Sequence, residues 1–223
     1  MKIVYTASDK PLLKKCLYHS IKSLASFVDA NDIIIISTPP HINDLEISGI
    51  IKQRNLYQDY PYADKIYVGL VDDDEVIYLD CDTRINKNII NLLNYNFDVS
   101  CRRGSNSDRF TSTRKYTHLL SYLNLSYVPM YNTGFIIFKN KTHKKIMDKW
   151  IKNLELLRTK QWDLDFEYVY EQFAFSIATK QLNLNVREMD STEHFFMWSD
   201  NLKDMSNAYV IHYGNQKGKY CNE

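Results

Sequence analysis

"EVIYLDCDTRIN", the stretch from Glu75 to Asn86, decides the fold of this chain and raises the question of its function. Its first half contains a short apolar run rich in β-forming side chains, Val76 to Leu79, which predicts a buried strand. Asp80 and Asp82 follow at the end of that strand, and residues i and i+2 of an extended chain face the same way. Two carboxylates placed side by side repel each other, so they need a cation, a cage of hydrogen bonds or open water.

Length and composition are those of an ordinary soluble globular chain. The sequence has 223 residues, of which 44% are hydrophobic and 25% charged, with a formal net charge of +1. This length allows a sizeable core and favours one large domain over two small ones. A net charge so close to zero gives no indication of a nucleic-acid or acidic-membrane partner.

Targeting and cysteine signals predict a cytoplasmic protein. Met1 leads directly into the strand-like "KIVYT", so we expect no signal peptide. No apolar run is long enough to span a bilayer, so we expect no transmembrane segment. The four cysteines are scattered without a CxxC pair, which predicts reduced thiols rather than a zinc site or a disulfide framework.

Strands and helices alternate along the first part of the chain. "KIVYT" (Lys2 to Thr6) predicts a strand, followed by a helix that Ser8 or Asp9 can cap. The β-branched run "DIIIIST" (Asp32 to Thr38) is typical of a parallel strand covered on both faces. This alternation predicts an α/β sheet with helices on both faces, in which ligands gather outside the carboxyl ends of the strands. Residues 45–55 fit either a helix or a strand. Residues 60–74 predict a helix that ends near Gly69 and is followed by an acidic turn.

The second part of the chain is less regular. A polar, basic stretch from Arg102 to Tyr116 predicts an exposed loop, either a mobile solvated loop or a lid over a bound donor. The remaining predictions are a strand at 97–101, a turn followed by a strand at 131–140, two helices at 143–157 and 166–181, and a short strand with a basic tail at 208–220. Repeats and linkers are absent, so we predict a single domain, 1–223, with a nucleotide-binding half (about 1–100) and an acceptor-side half (about 101–223).

The spacing of Asp80 and Asp82 suits a hard divalent cation. Carboxylate oxygens are preferred ligands of Mg²⁺ and Mn²⁺, which keep open positions for substrate phosphates. A pair of this kind near a nucleotide pocket could hold a diphosphate through the metal. The DxD pattern alone is weak, because short acidic pairs also occur as solvated turns, as we interpret "VDDDE" (Val71 to Glu75).

The context of the pair adds a family resemblance. "DEVIYLDCDTRI" resembles the metal-binding signature of the GT-A glycosyltransferases, in particular the glycogenin and lipopolysaccharide galactosyltransferase group. "YNTGFIIF", "EQFAFSIA" and "VIHYGNQKGK" resemble three further motifs of that group and follow in its order, and "YTASD" resembles its uridine-binding first turn. The resemblance implies a single GT-A, Rossmann-like domain with a mixed, mostly parallel sheet flanked by helices.

The resemblance also implies ligands for a metal and a nucleotide-sugar. It places Mn²⁺ or Mg²⁺ on Asp80, Asp82 and His212, with Asp80 also reaching the ribose. Lys217 matches a lysine that contacts the diphosphate. In this sequence one residue, instead of the family's two, separates His212 from Gly214, so Lys219 is an alternative for that contact. Further residues implied to bind the donor are Thr6, Ala7, Ser8, Lys65, Gly134 and Gly214. For Lys65 a solvated lysine, and for His212 a core or surface histidine, are the simpler alternatives.

Three catalytic candidates follow from the same motifs. Asn132 matches an asparagine that binds the donor sugar, with an ordinary turn before a strand as the alternative. Glu171 and Gln172 match an Asp-Gln pair near the anomeric carbon, with a pair on a helix surface as the alternative. Glutamate is one methylene longer than the family's aspartate, which changes where the carboxylate lies.

The predicted function is a metal-dependent glycosyltransferase of the hexosyltransferase type. It would move a sugar from a nucleotide-sugar, expected to be a UDP-sugar, to a hydroxyl of a glycan, glycolipid or glycoprotein, with retention of configuration. An inverting enzyme would need a carboxylate base, for which Glu171, Asp163 and Asp165 are candidates. One rival is a nucleotidyltransferase acting on a sugar-1-phosphate, although "TASDKP" lacks the glycine-rich turn usual there. The other rival is a non-catalytic nucleotide-sugar-binding domain.

Overall fold

Two β-sheets organise the computed structural model, which describes residues 1–7, 10–37, 49–159, 167–216 and 218. Within these residues the main sheet has seven strands, numbered along the chain: β1 (Lys2–Ala7), β2 (Ile33–Ser37), β3 (Gly49–Lys52), β4 (Val76–Leu79), β6 (Val99–Arg103), β7 (Tyr131–Phe138) and β8 (Val186–Met189). Their order in the sheet is β3-β2-β1-β4-β7-β6-β8.

The main sheet is mixed and mostly parallel. β1 pairs in parallel with both β2 and β4, β3 pairs in parallel with β2, and β6 pairs in parallel with β8. β7 is antiparallel to its two neighbours, β4 and β6. The predicted α/β class is therefore confirmed, and β4, the strand that ends at Asp80, lies in the interior of the sheet.

A small second sheet adjoins the end of β4. It consists of β5 (Thr83–Ile85), β9 (His194–Phe196) and β10 (Val210–His212), in the order β5-β10-β9. β10 is antiparallel to β5 and parallel to β9. Because β5 begins directly after Asp82, this sheet brings the end of β10 next to the carboxylate pair.

Helices cover both faces of the main sheet. On one face α4 (Thr142–Arg158) and α5 (Tyr170–Gln181) pack together over side chains such as Val4, Tyr78 and Ile136. On the other face α1 (Pro11–Leu24) covers the alternate side chains of the same strands. The remaining helices are α2 (Ser107–Thr111), α3 (Arg114–Tyr122) and short 3₁₀ helices at Ala30–Asp32, Pro61–Leu70, Ile89–Asn94, Glu167–Val169, Leu202–Asn207 and Gly214–Gln216. In the described part of the chain no helix is both long enough and apolar enough to cross a bilayer.

The stretch predicted as an exposed loop, Arg102 to Tyr116, is mostly structured. It contains the end of β6, all of α2 and the start of α3, where the Thr113 side chain accepts a hydrogen bond from the Tyr116 backbone at 3.3 Å and caps the helix. Arg102 forms an ion pair with Asp200 and lies over the ring of Phe196. The loop prediction is wrong because helix caps and long-range partners order this polar stretch.

Several smaller predictions also need correction. Asn132 and Gly134 lie inside β7 rather than in a turn before it. By contrast, the helix expected within 60–74 to end near Gly69 is present, as the 3₁₀ helix Pro61–Leu70. α1 has Lys10 at its N-cap without a side-chain hydrogen bond, and the proposed caps, 8 and 9, are outside the described residues.

Cys81 and Cys101 are free thiols, whereas Cys16 is disulfide-bonded, so the expectation of reduced thiols throughout is wrong.

Candidate active site

The backbone holds Asp80 and Asp82 in place from two sides. The Asp80 amide donates to the carbonyl of Gly134 on the adjacent strand at 2.8 Å, and the Thr83 hydroxyl donates to the Asp80 carbonyl at 2.8 Å. The Tyr213 amide donates to the Asp82 carbonyl at 3.0 Å. The turn that carries both carboxylates is therefore tied to β7 and to the residue that follows β10.

His212 completes a cluster with the two carboxylates. Its Nε2 lies 3.3 Å from an Asp82 oxygen and 3.8 Å from an Asp80 oxygen. One potential ligand atom from each residue lies within 4.8 Å of the other two. We call Asp80, Asp82 and His212 the ligand cluster. Asp82 and His212 are buried, and two carboxylates this close in a poorly hydrated place favour a bound cation.

The donor set of the ligand cluster fits a divalent metal. Carboxylate oxygens and an imidazole nitrogen suit Mn²⁺, and the oxygens alone suit Mg²⁺. Gly134 lies directly beneath: a Cβ added there would be 2.1 Å from His212 Cε1 and 3.0 Å from an Asp80 oxygen. The missing side chain is therefore what lets the imidazole and the carboxylate come together.

Lys65 is buried beside the ligand cluster. Its Nζ is 3.1 Å from one Asp80 oxygen, 3.6 Å from Glu171 Oε1 and 3.2 Å from Thr133 Oγ1. Burial by itself would lower the pKa of Lys65, but the carboxylates of Asp80 and Glu171 outweigh it and raise the pKa above its ordinary value. Lys65 is therefore a charged interior lysine, and the simpler expectation of a solvated side chain is wrong.

Glu171 faces inward rather than towards open solvent. Both of its carboxylate oxygens accept from the Thr133 hydroxyl, at 2.7 and 3.0 Å, and only 1% of the residue is exposed. Burial raises the pKa of Glu171 to about 7, against the lowering effects of Lys65 and Thr133. The next residue, Gln172, is half-buried and borders an open cavity.

Two cavities meet at the ligand cluster. The first cavity, of about 350 Å³, lies at the end of β1 and is bordered by Thr6, Ala7 and Tyr78. The second cavity, of about 280 Å³, lies on the other side and is bordered by Asn132, Trp198 and other residues. Both cavities share four lining residues, Tyr62, Lys65, Asp80 and Asp82. A ligand that fills both would therefore cross the carboxylate pair.

A profile of the nucleotide-diphospho-sugar transferase family matches residues 73–220, which include the ligand cluster and all described residues that border the second cavity except Tyr62 and Lys65. The chain belongs to this family. The prediction of a glycosyltransferase is therefore confirmed, and a nucleotide-sugar donor and a glycan acceptor fit this family. No curated protein matches this transferase significantly in sequence.

Solved structures share the fold of the transferase. The galactosyltransferase LgtC, in complex with donor and acceptor sugar analogs, has a TM-score of 0.63 at 15% identity, over 96% of this chain and 87% of that chain. The glycosyltransferase GlyE of Streptococcus pneumoniae has a TM-score of 0.59 at 13% identity, over 95% and 54%. Mouse xyloside xylosyltransferase 1 has a TM-score of 0.54 at 11% identity, over 95% and 96%. These likenesses confirm the GT-A fold.

The transferase brings most of the predicted site residues to one place. Thr6 and Ala7 border the first cavity, Lys65 and Asp80 border both, and the second cavity has Asn132, Glu171, Gln172, His212 and Gly214 in its lining. Gly134 lies under the ligand cluster, where its amide donates to Asn132 Oδ1 at 2.9 Å. Ser8, Lys217, Lys219, Asp163 and Asp165 are outside the described residues. The roles assigned to all these residues remain predictions.

Among the residues that sequence reasoning missed are Tyr78 and His194, whose side chains contact the ligand cluster. The Tyr78 hydroxyl donates to Asp80 Oδ1 at 2.8 Å and lies 2.8 Å from the Thr6 hydroxyl. Its position two residues before Asp80, in the strand that leads into it, was a usable signal, because residues i and i+2 of an extended segment share a face. His194 lies 3.3 Å from His212 Nδ1, and it belongs to β9, which is too short to leave a periodic pattern.

Proposed function

We propose that this transferase moves a hexose from a UDP-sugar to an acceptor hydroxyl on a glycan, glycolipid or glycoprotein, with Mn²⁺ or Mg²⁺ on the ligand cluster. The observation that carries the proposal is the position of the cluster between two cavities. A nucleotide-sugar has a nucleoside at one end, a sugar at the other and a diphosphate between them. That order matches the first cavity, the ligand cluster and the second cavity.

The first cavity suits a nucleoside. Thr6 and Ala7, at the end of β1, are small enough to leave room for a base, and Leu12 and Leu13 supply apolar wall. Binding pockets for such ligands are mostly apolar with a few polar groups that fix orientation. Asp80 and the Thr6 hydroxyl are the polar groups placed for a ribose.

The ligand cluster and Lys65 suit the diphosphate. A divalent cation held by the cluster would neutralise charge on the leaving nucleotide. Lys65 borders both cavities and keeps its positive charge, so it adds fixed electrostatic stabilisation at the same point. Asp80 and Glu171 fix the position of the Lys65 ammonium group. The ammonium group therefore does not need to move when negative charge develops on the phosphate.

Retention of configuration is what the family resemblance implies, and the described lining of the second cavity agrees with it, while Asp163 and Asp165 lie outside the described residues. An inverting reaction needs a carboxylate that is open to the acceptor and can take its proton. Among the described residues that border this cavity, the carboxylates are Asp80, Asp82 and Glu171. The first two belong to the ligand cluster, and both oxygens of Glu171 are engaged by Thr133. Asn132 and Gln172 are two of the neutral polar groups that border this cavity and are available to the donor sugar.

The test is release of UDP from UDP-sugars with MnCl₂, with and without simple glycoside acceptors. We expect UDP release to require the metal. Asp82→Asn should abolish it, because the variant loses the negative charge of one ligand carboxylate. Asp82→Asn should fold normally, since it relieves repulsion between two carboxylates. The stereochemistry of the glycoside product, read by NMR, then tests retention.

Asp74→Asn is the matched control. Asp74 lies in the acidic turn before β4, and its side chain is 78% exposed. The same substitution there should leave metal-dependent turnover unchanged. Wild-type activity in Asp82→Asn would overturn the metal assignment, pyrophosphate-forming chemistry would favour the nucleotidyltransferase rival, and nucleotide binding without turnover would favour a non-catalytic domain.

A further inference from the structure

His212 contacts a second histidine on the side away from the carboxylates. β9 and β10 run in parallel with His194 opposite Val210, so His194 and His212 lie on the same face of the small sheet. Nε2 of His194 is 3.3 Å from Nδ1 of His212. The ring planes differ by only 12°, with centroids 5.4 Å apart. The distance between the two nitrogens, plus about one ring radius at each end, accounts for the distance between the ring centroids. The two nitrogens therefore lie nearly on the line that joins the centroids, and the rings meet edge to edge in nearly one plane.

This edge-to-edge contact fixes how hydrogens are shared. A neutral imidazole has one N–H and one bare nitrogen. At the contact, one of the two nitrogens has to donate and the other to accept. If His194 donates, the hydrogen of His212 sits on Nε2, which faces Asp82 at 3.3 Å. If His212 donates from Nδ1, its Nε2 is bare.

Only the second arrangement lets His212 bind a cation. A histidine coordinates a metal through a bare ring nitrogen, and the hydrogen bond made by its other nitrogen decides which one that is. Ligating histidines generally donate that second N–H to a carboxylate, a backbone carbonyl or water. For Nδ1 of His212, the group in that position is the ring of His194.

His194 lies among aromatic side chains. The residue is fully buried, with the rings of Phe135 and Phe196 edge-on at centroid distances of 5.5 and 4.7 Å. Its Nδ1 is buried and has no hydrogen-bond partner among the described residues. If Nε2 of a neutral His194 accepts from His212, the hydrogen of His194 sits on Nδ1.

We propose that His194 is a positioning residue for the third ligand: its Nε2 accepts the hydrogen of His212 Nδ1 and leaves His212 Nε2 bare towards Asp80 and Asp82. This inference rests on the proposed function, because His212 acts as a ligand only if the cluster binds a cation. His194 does not touch the cation or the donor, and it acts only through His212.

Two substitutions separate hydrogen-bond acceptance from packing. His194→Gln places an amide oxygen near the original Nε2, whereas His194→Asn is one bond shorter and does not reach His212. Both residues are neutral and polar and fit within the volume of the histidine. We expect His194→Gln to bind Mn²⁺ almost as tightly as the wild type and His194→Asn to bind it about 10- to 100-fold more weakly, the range seen when such outer partners are removed.

The measurement is titration of the whole chain with MnCl₂ in the presence of UDP, with free Mn²⁺ followed by electron paramagnetic resonance. Urea unfolding in EDTA checks that both variants are folded and equally stable. Equal losses of affinity in the glutamine and asparagine variants overturn the proposal, because packing alone would then explain them. Unchanged affinity in the asparagine variant overturns it as well.

Histidine tautomers in the wild type give a second readout that needs no variant. In ¹⁵N-labelled protein with MgCl₂ and UDP, long-range ¹H–¹⁵N spectra should show His212 protonated at Nδ1 and His194 bare at Nε2. A hydrogen on Nε2 of His212 in the loaded protein contradicts the proposal. If the wild type binds neither cation, the proposed metal-dependent function fails first, and the role of His194 fails with it.

Discussion

Glu171 is a catalytic candidate whose carboxyl group contacts other side chains of the protein interior. The sequence motif indicates a residue near the anomeric carbon, yet both oxygens accept from Thr133 and one lies 3.6 Å from Lys65 Nζ. The extra methylene of glutamate gives the side chain the reach for these interior contacts. We therefore expect Glu171 to hold Lys65 in place, and Gln172 to face the donor sugar.

The raised pKa of Glu171 predicts a pH dependence of stability. The folded-state pKa is about 7 against an ordinary value of 4.5, so the folded state binds this proton more tightly than the unfolded state does. Its contribution to stability is therefore full below about pH 4.5 and is lost as the pH rises through about 7. Glu171→Gln should remove this loss, which is on the order of 3 kcal/mol at about 1.4 kcal/mol per pKa unit.

Urea unfolding in EDTA between pH 4.5 and 8 measures this difference between the wild type and Glu171→Gln. Glu167→Gln is the control, because Glu167 is exposed one helical turn before Glu171. The control curve should run parallel to that of the wild type. A Glu171→Gln curve that also runs parallel to the wild type would show that Glu171 has no raised pKa.

At the scale of single residues, the sequence predicts the groups that a local pattern or motif marks. Asp80 and Asp82 are recognisable because a strand ends there, and His212 through its motif. The burial of Lys65 was not predictable, because it depends on Thr133 and Glu171, which are distant in sequence. His194 carries no local signal at all, since only strand pairing brings it to His212.

Strand β7 is the element that supports most of the site. Consecutive residues of a strand point to opposite faces. The pairing of β6 with β7 shifts register between Cys101 and Arg103, so this alternation is interrupted near the start of β7. There Thr133 contacts Lys65 and Glu171, and Gly134 lies against His212 and Asp80. One strand therefore positions the buried ion pair and the ligand cluster at the same time.

Gly134→Ala should disrupt the ligand cluster more than the fold. The added methyl would lie 2.1 Å from His212 Cε1 and 2.6 Å from Nδ1, so the imidazole has to move away from the carboxylates. We expect a stability loss of about 1–3 kcal/mol, as for other overpacked positions, and at least a tenfold loss of Mn²⁺ affinity. Calorimetric titration with MnCl₂ and urea unfolding measure the two effects.

Gly104→Ala is the matched control for that substitution. A Cβ at Gly104 would be 2.7 Å from the terminal methyl of Met130, a flexible side chain that can move aside. Cation affinity should be unchanged in this variant. If Gly134→Ala also binds Mn²⁺ like the wild type, cation binding does not depend on the close approach of His212 and Asp80 to Gly134.

At the scale of elements, long apolar runs were predictable and short strands were not. β1, β2 and β4 are strongly β-forming, and α4 and α5 have long patterned sequences, so these elements were predicted close to their observed positions. β5 and β9 have three residues each, too few to show any period. α2 and α3 were missed because the polar, basic sequence from Arg102 to Tyr116 resembles a loop and their packing is set by tertiary contacts.

For the whole molecule, filling both cavities should stabilise the folded chain. The N-terminal strand and the C-terminal strand β10 both border the site, so a ligand that spans it links distant parts of the chain. A ligand at about 100 times its Kd adds about 2.7 kcal/mol, and each kcal/mol raises the Tm of a chain of this size by about 2–4 °C. We expect UDP with MnCl₂ to give the largest thermal shift among UDP, GDP, CMP and TDP.

The thermal-shift comparison has its own control in Asp82→Asn, which should lose most of the shift that depends on MnCl₂. Equal shifts for all four nucleotides would count against a uridine-selective first cavity. A larger shift with GDP would reassign the donor to another nucleotide-sugar while leaving the site in place.

The order of the ligand cluster along the chain sets when the enzyme can first work. Asp80 and Asp82 precede β6 and β7, but His212 ends β10, the last strand described. Protein synthesis proceeds from the N-terminus, and early segments begin to fold before later ones exist. A growing polypeptide therefore displays its two acidic groups before the imidazole has been synthesised, and the ligand cluster is complete only after β10 has left the ribosome.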